Sequence, residues 1–202
     1  MFIRVVESAG RRTGGCATLS AMADTARLAL EPLGHQHADA LVAVLGDPVV
    51  GQYLGGPQVT TVAAMHERID QLDAGPGPGW PDEHWWNFVV RRLDDGTVIG
   101  RVEGTTYGEW GEIAYVFGPS SWGHGFASEA TRWLVGYMNE MGAAELWAAV
   151  HPQNTRSVRL LQRLGFTAVV APSRPMGSFD EGDLVFRLDP PIASSDATSV
   201  LP

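Results

Sequence analysis

The chain has 202 residues, of which 45% are apolar and 18% charged, a composition typical of one folded domain with short extensions. Its 14 basic residues are outnumbered by 23 acidic ones, and the formal net charge of -9 argues against a protein that binds a nucleic-acid backbone. All 14 are arginine, which excludes lysine Schiff-base chemistry and a lysine-dependent phosphate loop. The single cysteine excludes an internal disulfide and a thiolate zinc cluster, and no apolar run is long enough to cross a membrane.

The two ends of the chain differ from its middle. Residues 1–22 are polar and lack an apolar stretch long enough for an export signal, so we expect a disordered N-terminal extension. Residues 190–202 begin with two prolines, continue with small polar residues and are typical of a disordered tail. The sequence therefore predicts one domain over residues 23–189.

The first half of this domain predicts a strand, two helices and a group of strands. Alternating apolar residues indicate a strand over 27–33, and helical spacing of apolar residues indicates helices from Ala38 to Leu45 and from Val62 to Leu72. The Gly- and Pro-rich stretch that follows, 75–84, is typical of a loop. Three strands are then expected, at 85–92, 97–104 and 112–117.

The second half alternates between helix and strand. Helices are predicted over 127–141 and 154–164, each ended by a glycine. Strands are predicted over 146–150, 167–170 and 183–188. Hairpin strands thus come first and α/β crossovers later. This order predicts an α/β protein of mixed α+β type, with a mixed, mostly antiparallel central sheet and helices on both faces.

One strand-to-helix connection carries a chemical signal. The segment Ser120-Ser-Trp-Gly-His-Gly-Phe-Ala127 contains two glycines directly before a predicted helix. The first N–H groups of a helix are unpaired and its N-terminal end is positive, so such a turn suits a pyrophosphate. An ordinary tight turn would have the same appearance. Ser128 stands where the dinucleotide-binding fingerprint requires its third glycine.

Other short motifs surround this turn between residues 25 and 188. They are Arg27-Leu-Ala-Leu-Glu-Pro-Leu33, Gly46-Asp-Pro48, Glu112-Ile-Ala-Tyr115, Trp122-Gly-His-Gly-Phe-Ala-Ser-Glu-Ala130, Asn154-Thr-Arg-Ser157, Leu160-Leu161 and Leu164-Gly-Phe166. In this combination and order, the chain resembles the GNAT superfamily of acetyl-CoA-dependent N-acetyltransferases, and specifically its RimJ/RimL-like branch. The resemblance implies the GNAT fold, acetyl-CoA as co-substrate and no metal.

The resemblance also implies how acetyl-CoA is held. Asn154 would hydrogen-bond the cofactor arm, although a helix N-cap is a simpler role for the same residue. Glu129 matches a family position and is interpreted here as structural. Backbone groups would pair with the pantetheine arm along one strand, at Tyr115, Val116 and Phe117, and would hold the pyrophosphate at Trp122, Gly123, His124, Gly125, Phe126 and Ala127.

The chain departs from the family pattern at three positions. Ser120 replaces the usual Gln or Arg, which weakens one phosphate contact. Ala149 stands where many relatives carry a carboxylate base, and Leu161 where many carry a tyrosine acid. The commonest acid–base pair of the family is therefore absent. This absence keeps open a second hypothesis, a non-catalytic acyl-CoA-binding sensor.

Acetyl transfer requires a base for the amine, a donor for the oxyanion and a proton for the leaving thiolate. Glu112 is the candidate base, although it is equally well explained as a charge near a strand end. An N–H of Val116 or Phe117 would serve the oxyanion. Ser157, one turn beyond Asn154, is the candidate donor to the thiolate, which the resemblance also implies. His124 and His151 are further groups that titrate near neutral pH.

The resemblance places the acceptor between the loops at 75–84 and 171–182. Acidic and aromatic side chains there favour a cationic amine, either a small molecule such as an antibiotic or a protein N-terminus. The candidate acceptor-binding residues are Trp80, Asp82, Glu83, Asp180 and Glu181. We expect a cytoplasmic protein without nucleic-acid or membrane partners; a homodimer remains a hypothesis.

Overall fold

A computed structural model describes residues 23–56, 61–77, 79 and 82–189. The expected extensions at 1–22 and 190–202, and Trp80, lie outside the described residues. The helices are α1 (Ala38–Leu45), α2 (Val62–Asp73), α3 (Phe126–Glu140) and α4 (Thr155–Arg163). The strands are β1 (Ala23–Asp24), β2 (Leu28–Pro32), β3 (Glu83–Arg92), β4 (Val98–Tyr107), β5 (Trp110–Phe117), β6 (Glu145–Val150), β7 (Thr167–Val169) and β8 (Leu184–Leu188).

The strands form one sheet in the order β1-β2-β3-β4-β5-β6-β8-β7. Only the β5–β6 pair is parallel, and every other neighbouring pair is antiparallel. The mixed, mostly antiparallel sheet predicted from the sequence is therefore confirmed. The predicted element order is also confirmed, with the two-residue strand β1 added at the start.

The helices cover both faces of the sheet and bury a separate apolar core on each. The larger core contains residues of α3 and α4, such as Leu134 and Leu161, against the sheet. The smaller core holds α1 and α2, with Leu41 and Ile69 packed against Val116 of β5. Thr61 caps α2 by accepting the N–H of Ala64 at 3.1 Å, as its residue type favours. Among the described helices, none combines the length and apolar character needed to span a membrane.

The central hairpin strands are longer than the sequence predicts. The prediction ends β4 at Gly104, whereas the strand continues to Tyr107. Gly104 is a packing residue, because a Cβ there would lie 2.3 Å from the sulfur of Met138 on α3. Gly111 in β5 is similarly close to Met138, at 2.7 Å from its Cε. These glycines let α3 approach the sheet and do not end the strands.

The parallel pair β5–β6 opens into a fork. Its pairing is limited to three positions, Trp110 with Glu145, Gly111 with Leu146 and Glu112 with Trp147. Beyond them, β5 stays paired with β4 as far as Phe117, and β6 stays paired with β8 as far as Val150. Each strand thus keeps its outer neighbour and loses its inner one. We call the paired rungs the closed end and the separated stretches the open end of the fork.

Candidate active site

The open end of the fork exposes backbone groups of β5. Gly118 donates its N–H to the carbonyl of Ile99 on β4 at 2.9 Å. Because the direction of the amides alternates along a strand, Val116 also faces β4, whereas Tyr115 and Phe117 face the fork. Of the two oxyanion donors predicted from the sequence, the strand geometry therefore favours Phe117 over Val116. The side chain of Val116 is buried in the smaller core.

A narrow cavity of about 50 Å³ lies in the open end. It is bounded by both strands of the fork, by the start of α4 and by the connection between α1 and α2. Its lining residues are Tyr53, Leu54, Ile113, Ala114, Tyr115, Ala148, Ala149, Val150, His151, Asn154, Ser157 and Leu161. None of these described lining residues is an aspartate or a glutamate. Two of the three departures from the family pattern, Ala149 and Leu161, line this cavity.

The turn before α3 has the shape expected of an anion-binding loop. Gly123 and Gly125 both have a φ of +81°, a conformation that side chains other than glycine rarely adopt. The N–H groups from Gly123 to Ala127 have no hydrogen-bond acceptor within the described residues. The N–H of Trp122 differs, because it donates to the carbonyl of Pro119 at 3.1 Å. The free amides therefore begin one residue later than the sequence predicts.

Trp122 links this turn to the fork through its side chain. Its indole Nε1 donates to the carbonyl of Phe117, the last residue of β5, at 2.8 Å. The guanidinium of Arg156 on α4 lies 4.6 Å from the centre of the indole ring. A second α4 arginine, Arg163, donates to the hydroxyl of Ser128 on α3 at 3.4 Å. Two positive charges therefore flank the free amides of the turn.

Arg27 and Glu129 hold the turn from the opposite side. Arg27 donates to the carbonyl of His124 at 3.0 Å and pairs with the Glu129 carboxylate at 2.6 Å. Glu129 also accepts the Thr25 hydroxyl at 2.6 Å. Burial alone would raise the pKa of Glu129, but the hydrogen bonds from Thr25 and Arg27 outweigh it and lower that pKa. Glu129 has the structural contacts expected of it, and His124 takes part through its backbone.

Asn154 and Ser157 meet at the start of α4. The side-chain oxygen of Asn154 accepts the N–H of Ser157 at 3.2 Å, so Asn154 is the N-cap of this helix. Both residues also line the cavity. The Tyr115 hydroxyl donates to the carbonyl of Ser157 at 3.4 Å. Burial raises the pKa of Tyr115, which keeps this phenol neutral at physiological pH.

Tyr53 is a cavity residue that the sequence analysis missed. It lies in a short 3-10 turn, Val50–Tyr53, and its ring stacks on that of His151, with centroids 5.3 Å apart. His151 Nδ1 accepts the N–H of Gln153 at 3.3 Å, so a neutral ring would carry its proton on Nε2. The sequence contained one signal, a tyrosine shortly after the Gly-Asp-Pro motif. Its pairing with His151 is a contact across 98 positions and has no local signature.

Glu112, the candidate base, is placed outside the cavity. Its side chain is 2% exposed and lies on the last paired rung of the fork, opposite Trp147. Its carboxylate accepts the N–H of Gly177 at 2.8 Å and the N–H of Ser178 at 3.1 Å, and it also bonds the Ser178 hydroxyl. These three bonds occupy most of the acceptor sites of the carboxylate, and Glu112 does not line the cavity, so the geometry counts against this role.

The predicted acceptor-binding residues that the structure describes do not line the cavity either. Asp82 is exposed, and Glu83 accepts the indole N–H of Trp85 at 2.6 Å. Both lie beside Tyr107 and Gly108, at the closed-end side of the hairpin strands. The exposed pair Asp180 and Glu181 lies in the segment between β7 and β8, after its contact with Glu112. Their role in binding an acceptor stays a prediction.

A second cavity, of about 170 Å³, lies behind the turn. Its charged lining residue, Arg92, already pairs with Asp94 and Asp95. The remaining lining residues are Thr97, Ile99, Ser120, Ser121, His124 and Phe126. Across the described ranges, no group of three or more His, Cys, Asp or Glu side chains is arranged to hold a metal ion.

Comparison with known proteins identifies the family. The profile of the acetyltransferase (GNAT) domain matches residues 27–167. The uncharacterized N-acetyltransferase p20 of Bacillus licheniformis is 30% identical over 149 residues, which cover 70% of this chain and 80% of that protein. The FsC-acetyl coenzyme A-N(2)-transacetylase of Aspergillus fumigatus is 28% identical over 157 residues, covering 72% and 64% of the two chains.

Solved structures share the fold at low sequence identity. The ribosomal-protein-S5-alanine acetyltransferase of Vibrio fischeri superposes with a TM-score of 0.66 at 15% identity, covering 84% of this chain and 97% of that one. A GNAT-family acetyltransferase of Bacillus anthracis gives a TM-score of 0.63 at 21% identity, covering 83% and 96%. The fork, the turn before α3 and these matches lead to one conclusion: the chain belongs to the GNAT family and is an acetyl-CoA-dependent acetyltransferase.

Proposed function

We propose that this enzyme transfers the acetyl group of acetyl-CoA directly to a primary amine, with both substrates bound together. The observation that carries the proposal is the fork, whose open end lies next to a turn with free amides. The pantetheine arm would pair with the exposed edge of β5 at Tyr115 and Phe117. The pyrophosphate would bind the amides of Gly123 to Ala127, beside Arg156.

The residues present fit acetyl-CoA. The free amides lie at the positive end of a 15-residue helix, and Arg156 and Arg163 supply positive charge beside them in a chain whose formal net charge is -9. The cavity between the strands has room for a group of acetyl size. Asn154 and Ser157 would then face the thioester end of the cofactor. Tyr115 lines this cavity with its N–H toward the fork, whereas Phe117 does not line it. A carbonyl oxygen placed against the N–H of Tyr115 would therefore be stabilised as it becomes an oxyanion, and the N–H of Phe117 would pair with the cofactor arm.

Proton transfer is proposed to proceed without a carboxylate at the reacting atoms. The titratable side chains that line the cavity are Tyr53, Tyr115 and His151. We propose that the amine loses its proton to water or to the Tyr53–His151 pair. Ser157 would donate a hydrogen bond to the leaving thiolate. A thiol with an ordinary pKa of about 8.5 is a moderate leaving group, so this bond assists the reaction and is not essential to it.

This weak base set favours an acceptor that is easily deprotonated. An α-amine, with a pKa of about 7.7–8.0, loses its proton far more readily than a lysine side chain near 10.4. The proposed acceptors are therefore a protein N-terminus or a small-molecule amine, including an antibiotic. The RimJ/RimL-like assignment and a cytoplasmic location are part of the same proposal. A homodimer remains a hypothesis.

The test is release of free CoA thiol from acetyl-CoA in the presence of a panel of amines. The panel contains polyamines, aminoglycosides, amino acids and short peptides that begin with alanine or serine. We expect release with one class of amine, with the acetylated product confirmed by mass spectrometry. If no amine in the panel caused release of CoA thiol while acetyl-CoA still bound tightly, the proposal would be contradicted and the acyl-CoA-binding sensor would be favoured.

A further inference from the structure

The segment between β7 and β8, residues 171–182, lies across the fork. It leaves the sheet after Val169 and returns at Leu184, which pairs with Val150 at the open end. Between these points it reaches the closed end, where Arg174 pairs with Glu145 at 3.0 Å. We call residues 171–182 the crossing segment. It lies on the face of the sheet that also carries Glu112 and the small side chain of Ala114.

Glu112 is the central anchor of the crossing segment. Both of its oxygens accept backbone N–H groups from the segment, at Gly177 and Ser178, and the Ser178 hydroxyl bonds the same carboxylate. Ser178 is 4% exposed, so this contact is shielded from water. Tyr107 is a neighbour of this carboxylate; burial raises the pKa of its phenol, and the negative charges of Glu112 and Glu83 raise it further. A charged acceptor with this many donors makes a stronger anchor than a neutral one.

The crossing segment has a second contact, through Arg174, at the closed end of the fork. The guanidinium of Arg174 lies 5.8 Å from the centre of the Trp110 ring, in addition to its ion pair with Glu145. Both contacts of Arg174 are partly exposed, whereas the Glu112 contact is buried. Surface ion pairs contribute little to stability, so the Glu112 anchor dominates the position of the segment.

We propose that Glu112 is a positioning residue that holds the crossing segment as one wall of the amine-binding side of the cleft. This inference rests on the proposed function, because it assumes that the amine approaches the thioester from the Ala114 side. The opposite face of the sheet is filled by α3, α4 and the larger core. Loss of the anchor would leave acetyl-CoA binding intact and would weaken the amine site.

The first test is amide hydrogen exchange of the full chain in Glu112→Gln and Ser178→Ala variants. The amide group of glutamine places a donor against the donors of the segment, so we expect at least tenfold faster exchange over 174–180. Exchange over 119–127 should not change. Ser173→Ala removes an exposed hydroxyl from the same segment and is the matched control. Unchanged exchange over 174–180 in Glu112→Gln would overturn the anchor whether or not the enzyme acetylates any amine.

The second test separates positioning from catalysis, with the panel amine that reacts fastest as the probe. For both variants we expect KM for that amine to rise about tenfold, with kcat, the shape of its pH profile and acetyl-CoA affinity unchanged. Ser178 contacts Glu112, and the Ser178→Ala variant keeps the Glu112 carboxylate. A rise in KM that both variants share can therefore not be caused by the loss of a base. Ser178→Thr, which keeps the hydroxyl, should restore KM. A fall in kcat with an altered pH profile in Glu112→Gln alone would overturn the proposal and make Glu112 the base.

Discussion

The closed and open ends of the fork consist of the same two strands and differ in almost every other respect. At the closed end, Glu112 and Trp147 are buried, and the Glu112 carboxylate accepts three hydrogen bonds. At the open end, the side chains of Ala114 and Ala149 are small, and the edge of β5 that faces β6 has no partner strand among the described residues. The described carboxylates of this fork make contacts within the protein, whereas the proposed chemistry takes place at the open end, where none of the described cavity residues carries a carboxylate.

The contrast also explains the distribution of glycine. Gly111, at the closed end, makes room for Met138 and α3, while Gly123 and Gly125 beside the open end keep a positive φ. The first is a packing requirement and the second is a conformational one. Substitutions at the two kinds of position should therefore damage different properties.

The largest effect is expected from Gly123→Pro, which alters the open end. Proline cannot adopt a φ of +81° and has no N–H to offer a phosphate. We expect acetyl-CoA affinity to fall by roughly a hundredfold or more, about 2.8 kcal/mol. Gly142→Pro, at the other end of α3 and with a φ of +99°, is the control for stability alone. Calorimetric titration would disprove the phosphate-binding role of the turn if Gly123→Pro bound acetyl-CoA normally.

The closed end should respond most strongly to Gly111→Ala. The new Cβ would lie 2.6 Å from the carbonyl oxygen of Thr105, a backbone atom that cannot move freely. We expect the free energy of unfolding to fall by about 2–3 kcal/mol, in the range of overpacked cores. Gly104→Ala meets the flexible side chain of Met138 instead and should lose less. Urea unfolding of both variants checks this order, and equal losses would contradict the explanation.

The Ser157→Ala variant tests whether Ser157, at the open end, donates a hydrogen bond to the leaving thiolate. Because the leaving thiolate needs only partial assistance, we expect kcat to fall roughly tenfold, about 1.4 kcal/mol, with unchanged acetyl-CoA affinity. Ser128→Ala removes a hydroxyl from α3, outside the cavity, and should leave kcat unchanged. Steady-state kinetics at saturating acetyl-CoA make the comparison. A variant with full kcat would remove Ser157 from the mechanism.

The smallest effect is expected at the ion pair between Arg27 and Glu129, which supports the turn before α3. The lowered pKa of Glu129 means that its stabilisation is present above the ordinary carboxyl range and is lost as the pH falls through the folded-state pKa. Glu129→Gln should therefore unfold more easily at pH 7, by about 1 kcal/mol, and match the wild type at strongly acidic pH. Glu140→Gln, at the exposed C-terminal end of α3, is the control. A stability difference that does not change with pH would contradict the charge-based explanation.

Most of the fold could be predicted because its signals are local. Helical spacing located α1 to α4, and Thr61 and Asn154 have the residue types of helix caps. The ends of β4 and β5 could not be predicted from Gly104 and Gly111 alone. The reason for those glycines is Met138, which lies on another element.

The site could be predicted in part. The positions of the turn and of Asn154 follow from motifs continuous in sequence. The role of Glu112 could not be derived in this way, because its partners Gly177 and Ser178 are 65 and 66 residues away. The Tyr53–His151 contact is likewise long-range, and the loss of pairing after Glu112 depends on how three strands are arranged.

The most direct test of the central claim is the change in backbone amide NMR shifts when CoA is added to the isotopically labelled protein. If the cofactor lies along the open end, the largest changes will occur at Tyr115, Phe117 and the amides from Gly123 to Ala127. Gly111, at the closed end, will change little. Changes concentrated at Thr97 and Ser120, around the second cavity, with none at Tyr115 and Phe117, would contradict the account.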